Sequence, residues 1–311
     1  MNWSKLAKQI PNLLTGLFMV GGVVGICVIY NSLHSNNKTA TYLGAIIVIL
    51  SFLGDMLDGW LARTNGWQTK FGSLWDPAAD KVKNATLLGM LAVLGWFDFM
   101  ILFIILSRDV VLSLLRVKAD KEQLVMETSF AGKIRTNILG FGGGVLFFWN
   151  FTPSARPYMW GAIIVAAAVM TWKLFLSRKL KNSKVDRNML EKIAVVVSLL
   201  IAAIYPPWSI PASMVVITLF TMVDYSKMLR DKAEEAGLSL KAFDREGIGY
   251  FMLAFTITGF TIYAMQVNFY TGIGIISLVL ILLLFWNILY IYRKPKTSTP
   301  TSLSCKAQEE A

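Results

Sequence analysis

The chain has 311 residues, 55% of them apolar and only 16% charged, with a mean hydropathy of +0.56; a soluble domain carries about 25% charged residues. The net charge of +11 is therefore read as loop charge on a membrane protein and not as a nucleic-acid footprint. The two cysteines, Cys27 in an apolar run and Cys305 in a polar tail, exclude a disulfide framework and a thiolate metal site.

A spanning helix needs roughly 20 apolar residues. In chain order, candidate spans are 12–30, 41–62, 80–96, 97–117, 132–150, 158–177, 190–205, 210–228, 248–267 and 270–292. The expectation is an all-α polytopic membrane helix bundle of about ten spans. The basic start MNWSKLAKQIPN precedes a long apolar run without a small-residue cleavage site, so the first span is expected to be retained. Gly95-Trp96-Phe97 is all that separates the third and fourth spans, which predicts a tight helical hairpin. Pro206-Pro207 and Pro211 divide the seventh from the eighth.

With the N-terminus inside and the spans alternating, only Lys38 and Arg156 of the 30 Lys and Arg residues fall outside. This asymmetry predicts cytoplasmic N- and C-termini. Tyr30, Trp96, Trp149, Tyr158 and Trp208 gather at span ends as an interfacial belt. Gly140–Gly144 (GFGGG) lies within a span and reads as close helix packing. His34, the single histidine, reads as a loop residue.

The stretch DMLDGWLARTNGWQTKFGSLWDPAAD, Asp55 to Asp80, breaks the apolar pattern. Asp55 and Asp58 are three apart and Asp76 and Asp80 four apart, so each pair shares a helix face. A polar turn around Asn65-Gly66 joins them, which predicts two antiparallel helices bringing four carboxylates together at the cytoplasmic boundary. A charge at mid-bilayer costs about 2.5–3.5 kcal/mol, and four like charges repel. Bound cations resolve this, and an all-oxygen donor set suits Mg²⁺ or Mn²⁺, as a pair. Two other readings start from the same residues: a structural cluster in which Arg63 and Lys81 pair two of the aspartates, and an ion-coupled transporter. The confinement of the carboxylates to one turn speaks against transport.

The pattern Asp-x2-Asp-Gly-x2-Ala-Arg-x8-Gly-x3-Asp-x3-Asp is met by Asp55, Asp58, Gly59, Ala62, Arg63, Gly72, Asp76 and Asp80. It resembles the signature of the CDP-alcohol phosphotransferase family. The resemblance covers residues 10 to about 180. It implies a six-helix membrane core, a homodimer, and transfer of a phosphatidyl or similar group from a CDP-linked lipid to an alcohol with release of CMP. It implies metal ligation by Asp55, Asp58, Asp76 and Asp80, with Asp80 also taking the acceptor's proton. Gly59, Ala62 and Gly72 are implied at the cytidine and Arg63 at the diphosphate. Pro11-Asn12-x-x-Thr15 resembles the family's first-helix entry and places Asn12 and Thr15 near the nucleotide; helix-entry capping would explain the same residues. Where relatives often carry an arginine three residues after the threonine, this chain has Phe18.

The acceptor is read from charge. Arg108 and Arg116 share a helix face at the end of the fourth span, and Lys133 and Arg135 open the fifth. Positive-inside charge explains them; so does a pocket for a phosphate on the acceptor. This arrangement resembles the phosphatidylglycerophosphate synthases, which use CDP-diacylglycerol and glycerol 3-phosphate. It is also similar to the cardiolipin synthases of the superfamily, which use phosphatidylglycerol. The implied setting is a bacterial plasma membrane or an organellar inner membrane, with the site facing the cytoplasm and membrane lipid as substrate. The expected divisions are a core over 1–182, or to about 230 if 218–230 is its last helix, further spans over 183–294 serving packing or oligomerisation, and a disordered tail over 295–311.

Overall fold

The computed structural model describes residues 9–67, 69, 71–121, 130–161, 163–165, 168, 206–236 and 240–293. Regular structure among them is entirely helical: α1 (Ile10–His34), α2 (Lys38–Thr64), α3 (Gly72–Val93), α4 (Phe99–Lys121), α5 (Phe130–Phe151), α6 (Pro206–Glu235), α7 (Leu240–Val267) and α8 (Phe269–Arg293), with a 3₁₀ turn at Pro153–Ala155. The expected spans 158–177 and 190–205 lie largely outside the described residues, as does the tail.

Apolar stretches long enough to cross a bilayer occur at Ile10–His34, Lys38–Gly59, Pro207–Glu235 and Ile248–Val267, with shorter ones at Ile138–Phe151 and Phe269–Leu283. Their outward faces are greasy. Leu13, Leu17, Val20 and Val24 form an exposed ridge on α1, and Leu43, Ile46, Leu50 and Leu57 another on α2, surfaces that belong against lipid. The charge-bearing helices α3 and α4 are the enclosed ones. α3 packs against α1, α4, α5, α7 and α8, and Leu88, Met90 and Leu91 on it have no exposed surface. Lys83 on α3 and Arg108 and Asp109 on α4 are buried against protein, as ionisable side chains in a membrane interior must be.

The expected hairpin between α3 and α4 is present. Gly95 turns it with φ +74°, a conformation that favours glycine, and Asp98 Oδ1 accepts from the N–H groups of Met100 (2.6 Å) and Ile101 (3.3 Å). The glycine run in α5 serves packing. A Cβ on Gly142 would stand 2.6 Å from Met214 of α6, and one on Gly143 2.8 Å from Leu87 of α3.

α2 and α3, which carry the two aspartate pairs, scarcely touch each other; α1 packs along both. It comes close enough to α2 that a Cβ on Gly44 would sit 2.8 Å from the Gly25 carbonyl oxygen. The described part of α6 opens at Pro206-Pro207, ahead of the expected start of the eighth span at 210, and runs through Pro211 to Glu235, so Pro211 lies inside the helix instead of breaking it; the seventh span lies outside the described residues.

The C-terminal pair packs within its own chain. α7 lies on α4 and α8 on α3 and α4; Ile262, Met265, Phe269, Ile273 and Ile276 join the same apolar core as Leu88. At the end of the bundle away from Asp76, Tyr270 donates to Asn31 Oδ1 at 2.6 Å.

Candidate active site

The first pocket starts at the entry of α1. Gln9 precedes the helix without a side-chain cap of its own. Asn12 Nδ2 instead donates to Thr69 Oγ1 at 3.2 Å and to Gln9 Oε1 at 2.9 Å. Thr69 Oγ1 accepts from the Gly72 N–H at 2.9 Å. A Cβ on Gly72 would come within 2.6 Å of Asn12 Oδ1, so glycine is what lets α3 begin beside α1. Pro11, Asn12, Thr15, Asp58, Gly59, Ala62, Trp67, Thr69, Gly72 and Asp76 line one cavity of about 220 Å³.

Thr15 explains how the carboxylates meet. Its hydroxyl donates to Asp58 Oδ2, lies 3.3 Å from Asp76 Oδ1, and is 3.0 Å from the Pro11 carbonyl oxygen. Three acceptors converge on a single proton, and Asp58 is only 3% exposed. An all-oxygen set of two carboxylates, a hydroxyl and a carbonyl is the donor chemistry that suits a hard cation. Among the described side chains, no group of three acidic, His or Cys residues is close enough to form a metal cluster on its own. The side chains of Asp55 and Arg63 fall outside the described part of the structure. Asp80, one turn beyond Asp76, is within electrostatic reach of Asp58 and Asp76 but does not line the cavity. Its Oδ1 is 3.6 Å from Lys83 Nζ.

The second cluster lies between α3, α4, α5 and α6. Arg108 and Arg135 both donate to Asp109 Oδ1, at 3.0 and 2.9 Å. Arg135, 3% exposed, also donates to Thr218 Oγ1 at 3.1 Å. Arg116 stands 5.9 Å from the Tyr225 ring centroid. Lys81 reaches into the same space, donating to Ser113 Oγ at 2.8 Å, within electrostatic range of Asp109, Arg116, Arg108 and Arg135. Arg108, Arg135 and Lys81 thus surround one carboxylate, with Arg116 near Lys81, and Arg108 Nε is buried without a hydrogen-bond acceptor among the described atoms. Such a cluster is short of negative charge.

The structure therefore brings together Asn12, Thr15, Asp58, Gly59, Ala62, Gly72 and Asp76 in one place, and Arg108, Arg116 and Arg135 in another. The Lys133 side chain falls outside the described part. The pairing of Lys81 with an aspartate of the motif is not found: one residue after Asp80, it is rotated about 100° around α3 toward α4, and Lys83 meets Asp80 instead. Sequence reasoning missed Trp67 and Thr69 in the cavity, and Lys81, Thr218 and Tyr225 in the basic cluster. The adjacency of Asp80 and Lys81 was the available signal for Lys81.

Comparison with known proteins places the chain in a family. Residues 8–178 match the family model described as CDP-alcohol phosphatidyltransferase. A Mycoplasma pneumoniae protein named CDP-diacylglycerol–glycerol-3-phosphate 3-phosphatidyltransferase is 32% identical over 42% of this chain and 63% of its own length, just under two thirds of that relative. A Rickettsia felis protein of the same name is 30% identical over 46% of the chain and 76% of its own. A Mycobacterium tuberculosis protein named probable phosphatidylglycerophosphate synthase is 27% identical over 56% and 77%. No solved structure gives a significant match. With more than half its length matched, and Asp58, Gly59, Ala62, Gly72 and Asp76 of the motif around one cavity, this helical integral membrane protein belongs to the CDP-alcohol phosphatidyltransferase family of enzymes.

Proposed function

We propose that the protein transfers the phosphatidyl group of CDP-diacylglycerol to glycerol 3-phosphate, releasing CMP and forming phosphatidylglycerophosphate. One observation carries the reading: a single turn of α3 serves two sites of opposite charge. Asp76 and Asp80 face the carboxylate side, and Lys81 faces the buried cations. A donor site and an acceptor site side by side are what group transfer requires.

In this reading Asn12, Thr15, Gly59, Ala62 and Gly72 hold the cytidine end, and Arg63 pairs with the diphosphate. Asp55, Asp58, Asp76 and Asp80 would hold Mg²⁺ or Mn²⁺, two ions in all, supplying neutralisation of the diphosphate and of the leaving group. Lys81, Arg108, Arg116 and Arg135, with Lys133 beside them, bind the acceptor's phosphate. A monoester dianion suits this cluster better than the single charge of a phosphodiester. Asp80 then accepts the proton of the acceptor hydroxyl. The freed oxygen bonds to the phosphorus that carries diacylglycerol, and the bond from that phosphorus to CMP breaks, CMP leaving with the electron pair. A homodimer, a cytoplasmic site and a bacterial plasma membrane or organellar inner membrane belong to the same reading. The names of the Mycoplasma and Rickettsia relatives support the substrate pair.

The test is a competition assay: purified protein, CDP-diacylglycerol, Mg²⁺ or Mn²⁺, and glycerol 3-phosphate together with phosphatidylglycerol, the lipid products then being separated. Phosphatidylglycerophosphate is expected. Diphosphatidylglycerol as the only product would make the chain a cardiolipin synthase.

A further inference from the structure

We propose that Lys83 is a positioning residue that holds the carboxylate of Asp80, a role that rests on Asp80 being the base of the proposed reaction. Lys83 has no exposed surface at all, although it lies on a helix inside a membrane protein. Its stem runs past α1, where a Cβ on Gly22 would stand 3.2 Å from its Cδ and 3.3 Å from its Cγ. Glycine at position 22 keeps that passage open. The ammonium lies 5.1 Å from the Phe52 ring centroid on α2 and 3.6 Å from Asp80 Oδ1.

The direction of the lysine follows from helix geometry. Side chains lean toward the N-terminus of their own helix, so a lysine three residues after Asp80 reaches back over it. A surface pair at this spacing contributes little. This one has its cation wholly buried between helices, where an ammonium needs a counter-charge, while Asp80 remains 36% exposed on its other side. One carboxylate oxygen is thus held against Lys83, which leaves the other to face the acceptor. The positive charge also offsets repulsion from Asp58 and Asp76, both within electrostatic reach of Asp80. Lys81, the other lysine nearby, is engaged with Ser113 on α4 and does not share this role.

The experiment compares wild type, Lys83→Met, Asp80→Asn and the double variant. Methionine fills much the same space without the charge. Three measurements are made: turnover with the KM for CDP-diacylglycerol, Mn²⁺ affinity by electron paramagnetic resonance, and thermal unfolding without metal. Lys83→Met should lower kcat about tenfold or more, roughly the contribution of one oriented charged contact, with KM unchanged within about twofold on that scale. Mn²⁺ should bind more tightly, by roughly tenfold, because a cation a few ångströms away has gone. A residue that merely filled space would not slow turnover and tighten metal binding together. Asp80→Asn should lower the unfolding temperature by removing the carboxylate beside the buried ammonium, and Lys83→Met in the same chain should recover part of that loss. Wild-type turnover in Lys83→Met overturns the proposal. So does a double variant no more stable than Asp80→Asn, which decides the matter even if Lys83→Met alone folds poorly. If Asp80→Asn still releases CMP while the stability cycle shows the pairing, Asp80 is not the base; that outcome overturns the role of Lys83 in catalysis and is told apart from loss of the pair.

Discussion

Replacing Thr15 by valine removes the single proton on which Asp58 and Asp76 converge, with nearly no change in volume. Hydrogen bonds to charged groups contribute about 1.5–3 kcal/mol each, and Asp58 is too buried for water to take over, at 3% exposure. Without a divalent ion, Asp58 and Asp76 would then face each other without the Thr15 hydroxyl between them. The unfolding temperature in EDTA should fall by several degrees, on a scale of roughly 2–4 °C per kcal/mol for chains of 150–250 residues. Added Mg²⁺ or Mn²⁺ supplies the missing positive charge and stabilises by binding the folded state alone. Most of the lost stability should therefore return in millimolar metal. The assay is thermal unfolding of the detergent-solubilised protein with and without metal. An equal loss in both conditions would make Thr15 a packing residue and remove the argument that these oxygens are arranged for a cation.

Gly72→Ala pushes a methyl group to 2.6 Å from Asn12 Oδ1, so Asn12 must shift, and the KM for CDP-diacylglycerol should rise roughly tenfold, about 1.4 kcal/mol. An unchanged KM would take Asn12 out of the nucleotide site. Asp58→Asn and Asp76→Asn should each abolish CMP release from protein that still inserts and folds, and chelation should do the same to wild type until metal is restored; activity in EDTA would count against metal dependence. Cysteines introduced beside Lys38 and Arg156 should react with an impermeant reagent from outside, and one beside Lys118 should not, a pattern whose reversal would overturn the cytoplasmic site.

Much of this was legible in the sequence. Helix length and apolar runs were enough for α1, α2, α6 and α7, and Gly95 was enough for the hairpin. The spacing of Asp55, Asp58, Asp76 and Asp80 marked the site because charge in an apolar chain demands a reason. What one-dimensional reading missed was which helices touch. The aspartate spacing carried no sign that α1 packs along both α2 and α3 and contributes Thr15 as the point where Asp58 and Asp76 meet. The basic cluster was half visible. Arg108, Arg116 and Arg135 lie where positive-inside charge is expected anyway, so sequence could not separate topology from binding. Thr218 and Tyr225 come from a helix more than eighty residues after Arg135, a contact no local pattern carries. Lys81 and Lys83 differ by two positions, and only their opposite partners, Ser113 and Asp80, tell them apart.

The central claim is that α3 joins a CDP-lipid site to a separate cationic acceptor site, and a split in Michaelis constants tests it most directly. In Arg116→Gln and Lys81→Met, the KM for glycerol 3-phosphate and the KM for CDP-diacylglycerol are measured in the same preparation. One charge-assisted contact of about 1.5–3 kcal/mol predicts that the acceptor KM rises roughly ten- to a hundredfold while the CDP-diacylglycerol KM stays near wild type. A parallel rise in both constants, or no rise in either, would contradict the two-site account.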